Sequence, residues 1–221
     1  MATAPPQAGV SPGTTMDTAR QTTAIADVGP GRQGAAWAAA GVYLPSFEPG
    51  HGAHELTRQI RQSKFSRRHD RDLADLLTAA LATDLSGFTP DLVVSIPCRP
   101  GQEDRFRHIR RMLATRAGAA DGEAVLTQTR VVEDYRQMPP GERRARCPGR
   151  FAAQARVRGR DVLVIDDVIT TGAQATEAIR ALDAAGAGIV AFLAIARATS
   201  APRPRSTSRP CPGGRERGLV G

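Results

Sequence analysis

The chain has 221 residues, 41% of them hydrophobic and 4% aromatic, with a formal net charge of +8, which allows one ordinary domain with tails and a real core. Lys64 is the only lysine; residues 201–221 hold five arginines against Glu216, and residues 1–40 balance Asp17 and Asp27 with Arg20 and Arg32, so half of the excess lies in residues 41–200 and suits a polyanionic ligand without requiring nucleic acid. Cys98, Cys147 and Cys211 are scattered and odd in number, which argues against a disulfide framework or a zinc site, and the lack of a secretory leader or membrane-length apolar run leads us to expect a cytoplasmic protein with no membrane contact.

Residues 1–40 are rich in Ala, Gly, Pro, Thr and Gln, too poor in large apolar side chains to offset their ordering entropy. We expect a disordered, non-catalytic tail there, with Met1 or Met16 as its start. Val42 to Phe47 read as a short strand opening the folded part. A helix is expected from about His54, with Leu56 and Ile60 one turn apart. The cations Arg58, Arg61, Lys64, Arg67 and Arg68 cluster about its far end, where a solvated basic face is ordinary. Leu73, Leu76, Leu77, Ala80 and Leu81 repeat at helical spacing and make a core helix. Leu92 to Ile96 read as a buried strand, followed by the turn Cys98-Arg99-Pro100-Gly101 and a helix from about Asp104. Cys98 reads as a buried, inert thiol and His108 as a surface or half-buried helix residue.

Val125 to Val132 form a third strand candidate. From Glu133 to Arg150 the pattern dissolves into Pro139-Pro140-Gly141, Glu142-Arg143-Arg144 and Cys147-Pro148-Gly149. A polar connection of that length is a lid or a plain surface loop. Residues 162–165, Val-Leu-Val-Ile, read as a strand buried on both faces, as in parallel sheets. That run ends in Asp166 and Asp167, so polar chemistry begins at the carboxyl edge, where open α/β sheets bind ligands. Thr170, Thr171 and Gly172 then make a hydroxyl-rich turn into a helix that buries Ala175, Ala178, Ile179 and Leu182 and stops at Gly186. Backbone N–H groups, two hydroxyls and a helix N-terminus suit a phosphate. Carboxylates would repel that phosphate, but they suit sugar hydroxyls or a divalent cation on the same ligand. Gly188 to Arg197 return as an apolar strand, and residues 201–221 form a basic, low-complexity tail expected to be disordered.

The run from Val162 to Ala173, with its Asp-Asp, Val-Ile and Thr-Thr-Gly-Ala, resembles the phosphoribosyl-pyrophosphate (PRPP) motif of type I phosphoribosyltransferases. That resemblance implies a single α/β domain over residues 41–200, with a central, mostly parallel sheet flanked by helices. It implies that Asp166 and Asp167 are the catalytic carboxylates facing the ribose hydroxyls, and that Asp166, Asp167, Val168, Thr170, Thr171, Gly172, Ala173 and Gln174 bind PRPP. Gln174 stands where the family usually has a small residue. By position, Arg99, Pro100 and Gly101 match the pyrophosphate loop, and Arg143 and Arg144 the flexible loop. Lys64-Phe65, Phe106, Arg130, Gln137, Glu142-Arg143-Arg144 and Arg150-Phe151 resemble the competence-protein ComF branch, although the usual glycine and amides beside Phe106 are absent and so is that branch's cysteine-rich segment.

The family's implied reaction joins a nitrogen acceptor to ribose C1 with loss of pyrophosphate, with Mg²⁺ held through the ligand and not by the protein. Implied partners are PRPP or a nucleoside monophosphate. A non-catalytic role in DNA uptake, with single-stranded DNA or competence proteins, and a PRPP-sensing regulator stay open, as does a homodimer. The acceptor is not legible in the sequence.

Overall fold

Trp37–Ala39 (β1) opens the main sheet of the computed structural model, which describes residues 36–99, 101–132 and 138–199. The order of that sheet is completed by Val190–Ala198 (β8), Val162–Ile169 (β7), Leu92–Ser95 (β3) and Ala120–Asp121 (β4), with Val42–Tyr43 (β2) also pairing along β8. Every pair is parallel. Helices Glu55–Ser63 (α1), Asp70–Asp84 (α2), Arg107–Ala117 (α3) and Ala173–Ala184 (α5) flank the sheet. No helix among the described residues is long and apolar enough to cross a membrane.

The four apolar residues of β7 explain the layering. Side chains alternate across a strand, so Val162 and Val164 pack with Ala178, Ile179 and Leu182 of α5, while Leu163 and Ile165 pack with Leu73, Leu77, Ile109 and Leu113 of α2 and α3. Both sets are fully buried, so β7 is apolar on both faces for a reason of packing. The α5 helix ends in a Schellman turn: Gly186, at φ +85°, donates to Asp183 O and Ala187 donates to Leu182 O.

Four features differ from the expectation. Residues 36–40 belong to the sheet and not to a tail: Phe192 N donates to Ala36 O, Ala40 N donates to Ala194 O, and Arg197 lies 5.3 Å over the Trp37 ring. The rest of the two expected tails lies outside the described residues. Strand β7 does not stop at the carboxylates but pairs with β8 as far as Ile169. The third strand candidate shrinks to Leu126–Gln128 (β5), which leaves the main sheet to pair antiparallel with Phe151–Ala153 (β6). Its expected place is taken by β4, beside which Gly122 is required because a Cβ there would sit 2.5 Å from Val94 Cγ1. Finally, Pro140–Arg146 form a short helix (α4) with no buried residue, so no apolar periodicity could announce it.

Arg110, 1% exposed, ties α3 to the sheet. It pairs with Asp104, donates to Asp121 Oδ1 at 2.5 Å and donates to Ser95 Oγ at 2.9 Å. Burial works against its charge, but Asp121 and Asp104 outweigh it and raise the guanidinium pKa.

Candidate functional site

The carboxyl ends of β3 and β7, the turn before α5, the end of α1 and the α4 segment surround one cleft of about 790 Å³. Its floor is the Asp pair. Asp166 is 7% exposed and its Oδ1 accepts the Asp167 backbone N–H at 2.8 Å. Burial and the neighbouring charge of Asp167 push its carboxyl well above the usual range. Asp167 is shaped by the opposite balance. Burial raises its pKa, but Arg105 and Lys64 outweigh that and hold the carboxylate below its ordinary value. The Oδ2 atom meets Arg105 Nη2 at 2.7 Å and Lys64 Nζ at 3.2 Å, while Oδ1 accepts the Val168 N–H at 2.8 Å. Two adjacent carboxyl groups are thus pushed in opposite directions because their surroundings differ.

Beyond Ile169 the chain turns through Thr170, Thr171 and Gly172. Gly172 takes φ +74°, a left-handed conformation open to glycine without strain, and this bend starts α5 at Ala173. The Thr171 hydroxyl accepts the Ala173 N–H at 3.3 Å. The amino end of α5 therefore faces the cleft with its partial positive charge. Val168, Thr170, Thr171, Gly172, Ala173 and Gln174, the residues the sequence singles out here, all line the cleft.

The remaining predicted residues divide. Arg143 reaches back from α4, donating from Nε to Met138 O at 2.8 Å and from Nη1 to the Thr170 hydroxyl at 3.2 Å. Arg144, next to it, is exposed and does not line the cleft. Arg99 lines the rim with an exposed side chain, whereas Gly101, at φ +79°, turns the chain beside it without lining the cleft. Pro100 and Gln137 lie outside the described residues. Cys98 lines the cleft and is half-buried, not buried as expected, because the turn after β3 leaves it on the rim. His108 does not line it.

Three cations that the sequence left without a ligand role complete the site. Lys64 follows α1, which is held to the sheet edge by Leu44 N donating to the Thr57 hydroxyl at 3.0 Å. Arg105 precedes α3, stacked 5.2 Å over the Phe106 ring, and its Nε is buried without an acceptor among the described residues. Arg150, buried, lies 5.5 Å over the Phe151 ring and donates to Gln128 Oε1 at 3.4 Å. Lys64 had two signs in the sequence, as the sole lysine of an arginine-rich chain and as the basic member of the Lys64-Phe65 pair. Arg105 had none, since 62 residues separate it from Asp167. In all, five basic side chains face three carboxylates across the cleft, and one of the three favours its neutral form. The site is electropositive and suits an anion.

No group of three or more His, Cys, Asp or Glu side chains able to hold a metal occurs among the described residues. Asp166 and Asp167 fit Mg²⁺ only in its usual manner at phosphate sites, one or two carboxylates with the remaining positions filled by phosphate oxygens and water.

No family model matches the chain, and no curated protein matches it. Among solved structures it is similar to the glutamine PRPP amidotransferase from B. subtilis complexed with ADP and GMP, with 21% identity over 57% of this chain and 26% of that one, at a TM-score of 0.40. It is also similar to the adenine phosphoribosyltransferase from Leishmania tarentolae, with 14% identity over 71% of this chain and 91% of that one, at a TM-score of 0.41. A third is an allosteric regulatory enzyme of purine biosynthesis, with 23% identity over 56% of this chain and 25% of that one, at a TM-score of 0.38. The chain spans about a quarter of the length of the amidotransferase and of the allosteric enzyme.

Proposed function

We propose that this chain is a PRPP-binding protein of the phosphoribosyltransferase type. The observation that supports this most is the adjacency, within one electropositive cleft, of the Asp166–Asp167 pair and the Thr170–Gly172 turn at the start of α5. A phosphate needs the second and a sugar's hydroxyls need the first, and a 5-phosphorylated ribose presents both at once.

On this reading the turn and Thr170, Thr171 and Gln174 grip the 5′-phosphate, while the carboxyl pair meets the ribose 2′- and 3′-hydroxyls. Asp167, whose pKa is lowered by Arg105 and Lys64, accepts from one hydroxyl as a carboxylate, and Asp166 meets the other. In the transfer step the bond from C1 to the pyrophosphate oxygen breaks, and its electron pair leaves with pyrophosphate. The lone pair of a nitrogen acceptor forms the new C1–N bond, and the nitrogen then loses a proton to solvent. Between those events C1 carries developing positive charge, which the Asp167 carboxylate would stabilise. Mg²⁺, carried on the ligand, would neutralise part of the diphosphate charge. Arg143, already on Thr170, stands where it can close over the ligand and exclude water.

Titration calorimetry with PRPP and Mg²⁺ tests the reading. The parent is expected to bind, and Asp166→Asn/Asp167→Asn to bind roughly a hundredfold more weakly, the loss of hydrogen bonds from both carboxyl groups, that of Asp167 charge-assisted. Equal heats from both proteins would refute the site. Turnover with a panel of nucleobases then separates a transferase from a PRPP sensor.

A further inference from the structure

We propose that Lys64 and Arg105 are the diphosphate-binding groups of this cleft, held on Asp167 while it is empty and transferred to the diphosphate when the ligand arrives. This rests on the PRPP reading above and assigns the one part of that ligand for which the pyrophosphate-loop residues provide little. Of the two of these that are described, Arg99 lines the cleft with an exposed side chain and Gly101 does not line it.

The geometry carries the argument. Both cations meet a single oxygen, Asp167 Oδ2, at 3.2 and 2.7 Å, and each keeps more than a quarter of its side chain exposed to the cleft. Two positive charges on one carboxylate, in a cleft lined by five cations and three carboxylates, leave a net positive charge at the mouth. That residual charge, with the unpartnered Arg105 Nε, is a better match to a polyanion than to Asp167 alone. The competing contact also has a use. An empty cleft with bare cations would take any phosphate, whereas cations already bound to Asp167 are released only for a ligand whose diphosphate outweighs one carboxylate. Release in turn frees Asp167 Oδ2 to accept from a ribose hydroxyl, so the two halves of the ligand bind cooperatively.

Lys64 being the only lysine, reductive methylation of the full chain with ¹³C-formaldehyde labels it alone besides the α-amine, and retains its charge. Inorganic pyrophosphate in EDTA is expected to shift the Lys64 resonance saturably, with the α-amine as control. By calorimetry under the same conditions, Lys64→Gln and Arg105→Gln should each weaken pyrophosphate by about tenfold. Both should bind ribose 5-phosphate at least as tightly as the parent, since Asp167 Oδ2 loses a competitor. Asp167→Asn, which removes the competitor, should bind pyrophosphate more tightly than the parent.

A Lys64 resonance unmoved by saturating pyrophosphate overturns the exchange, as does weaker pyrophosphate binding in Asp167→Asn. The labelled parent decides the matter even if a variant fails to fold. PRPP with Mg²⁺ that binds without moving Lys64 refutes the exchange alone, whereas absence of PRPP binding removes the underlying reading as well.

Discussion

Asp166→Asn should make the protein more stable at neutral pH while impairing its ligand site. The parent buries this carboxyl to 7% exposure with Asp167 against it, and both effects push its pKa well above the ordinary carboxylate value. The sign follows from proton linkage. Below about pH 4 the group is protonated in both folded and unfolded chains and has no differential effect; as the pH rises through the elevated folded-state pKa, the unfolded chain ionises first and the fold loses stability. Asparagine has the same shape, keeps an Oδ1 for the Asp167 N–H at 2.8 Å, and never ionises. Each tenfold difference in proton affinity between the two states is about 1.4 kcal/mol, offset in part because the new amide N–H groups face Asp167 and the cleft. We expect a net gain of about 1–2 kcal/mol at pH 7–8, or about 2–8 °C in Tm. Thermal unfolding of parent and variant from pH 4 to pH 8 checks it: the curves should converge at the acid end and separate steadily above it. A gap that is constant with pH, or a variant less stable at pH 8, would refute the reasoning. Stability gained where binding is lost is the pattern expected of a strained functional site.

Arg110→Met leaves Asp104 and Asp121 without their buried cation, and urea unfolding should report a loss of about 3–5 kcal/mol; a loss under about 1 kcal/mol would mean the carboxylates reach water. Gly172→Ala meets no atom within 4 Å, so its cost is the left-handed backbone alone, about 1–2 kcal/mol in Tm or urea measurements. If the turn relaxes instead to relieve φ, ribose 5-phosphate binding should fall by about tenfold in the same variant; unchanged stability and affinity together would show that the φ +74° bend is dispensable.

What the sequence alone determined is local. An apolar run with two carboxylates and a Thr-Thr-Gly turn into an amphipathic helix names its own strand, loop and helix, because each is read from neighbours a few residues apart. The Asp166–Gln174 part of the site was legible for that reason, and so were the core faces of α2 and α5. The third dimension decided what depends on residues far apart in the chain. Trp37–Ala39 look like a tail until β8 supplies an edge to pair with, and α4 has no buried face to announce it. Lys64 and Arg105 lie 103 and 62 residues before Asp167, and only the stacking of α1 and α3 against the carboxyl edge of one sheet brings both onto its Oδ2. The opposite pKa directions of the Asp pair are likewise tertiary, since burial raises both and only at Asp167 do Arg105 and Lys64 outweigh it.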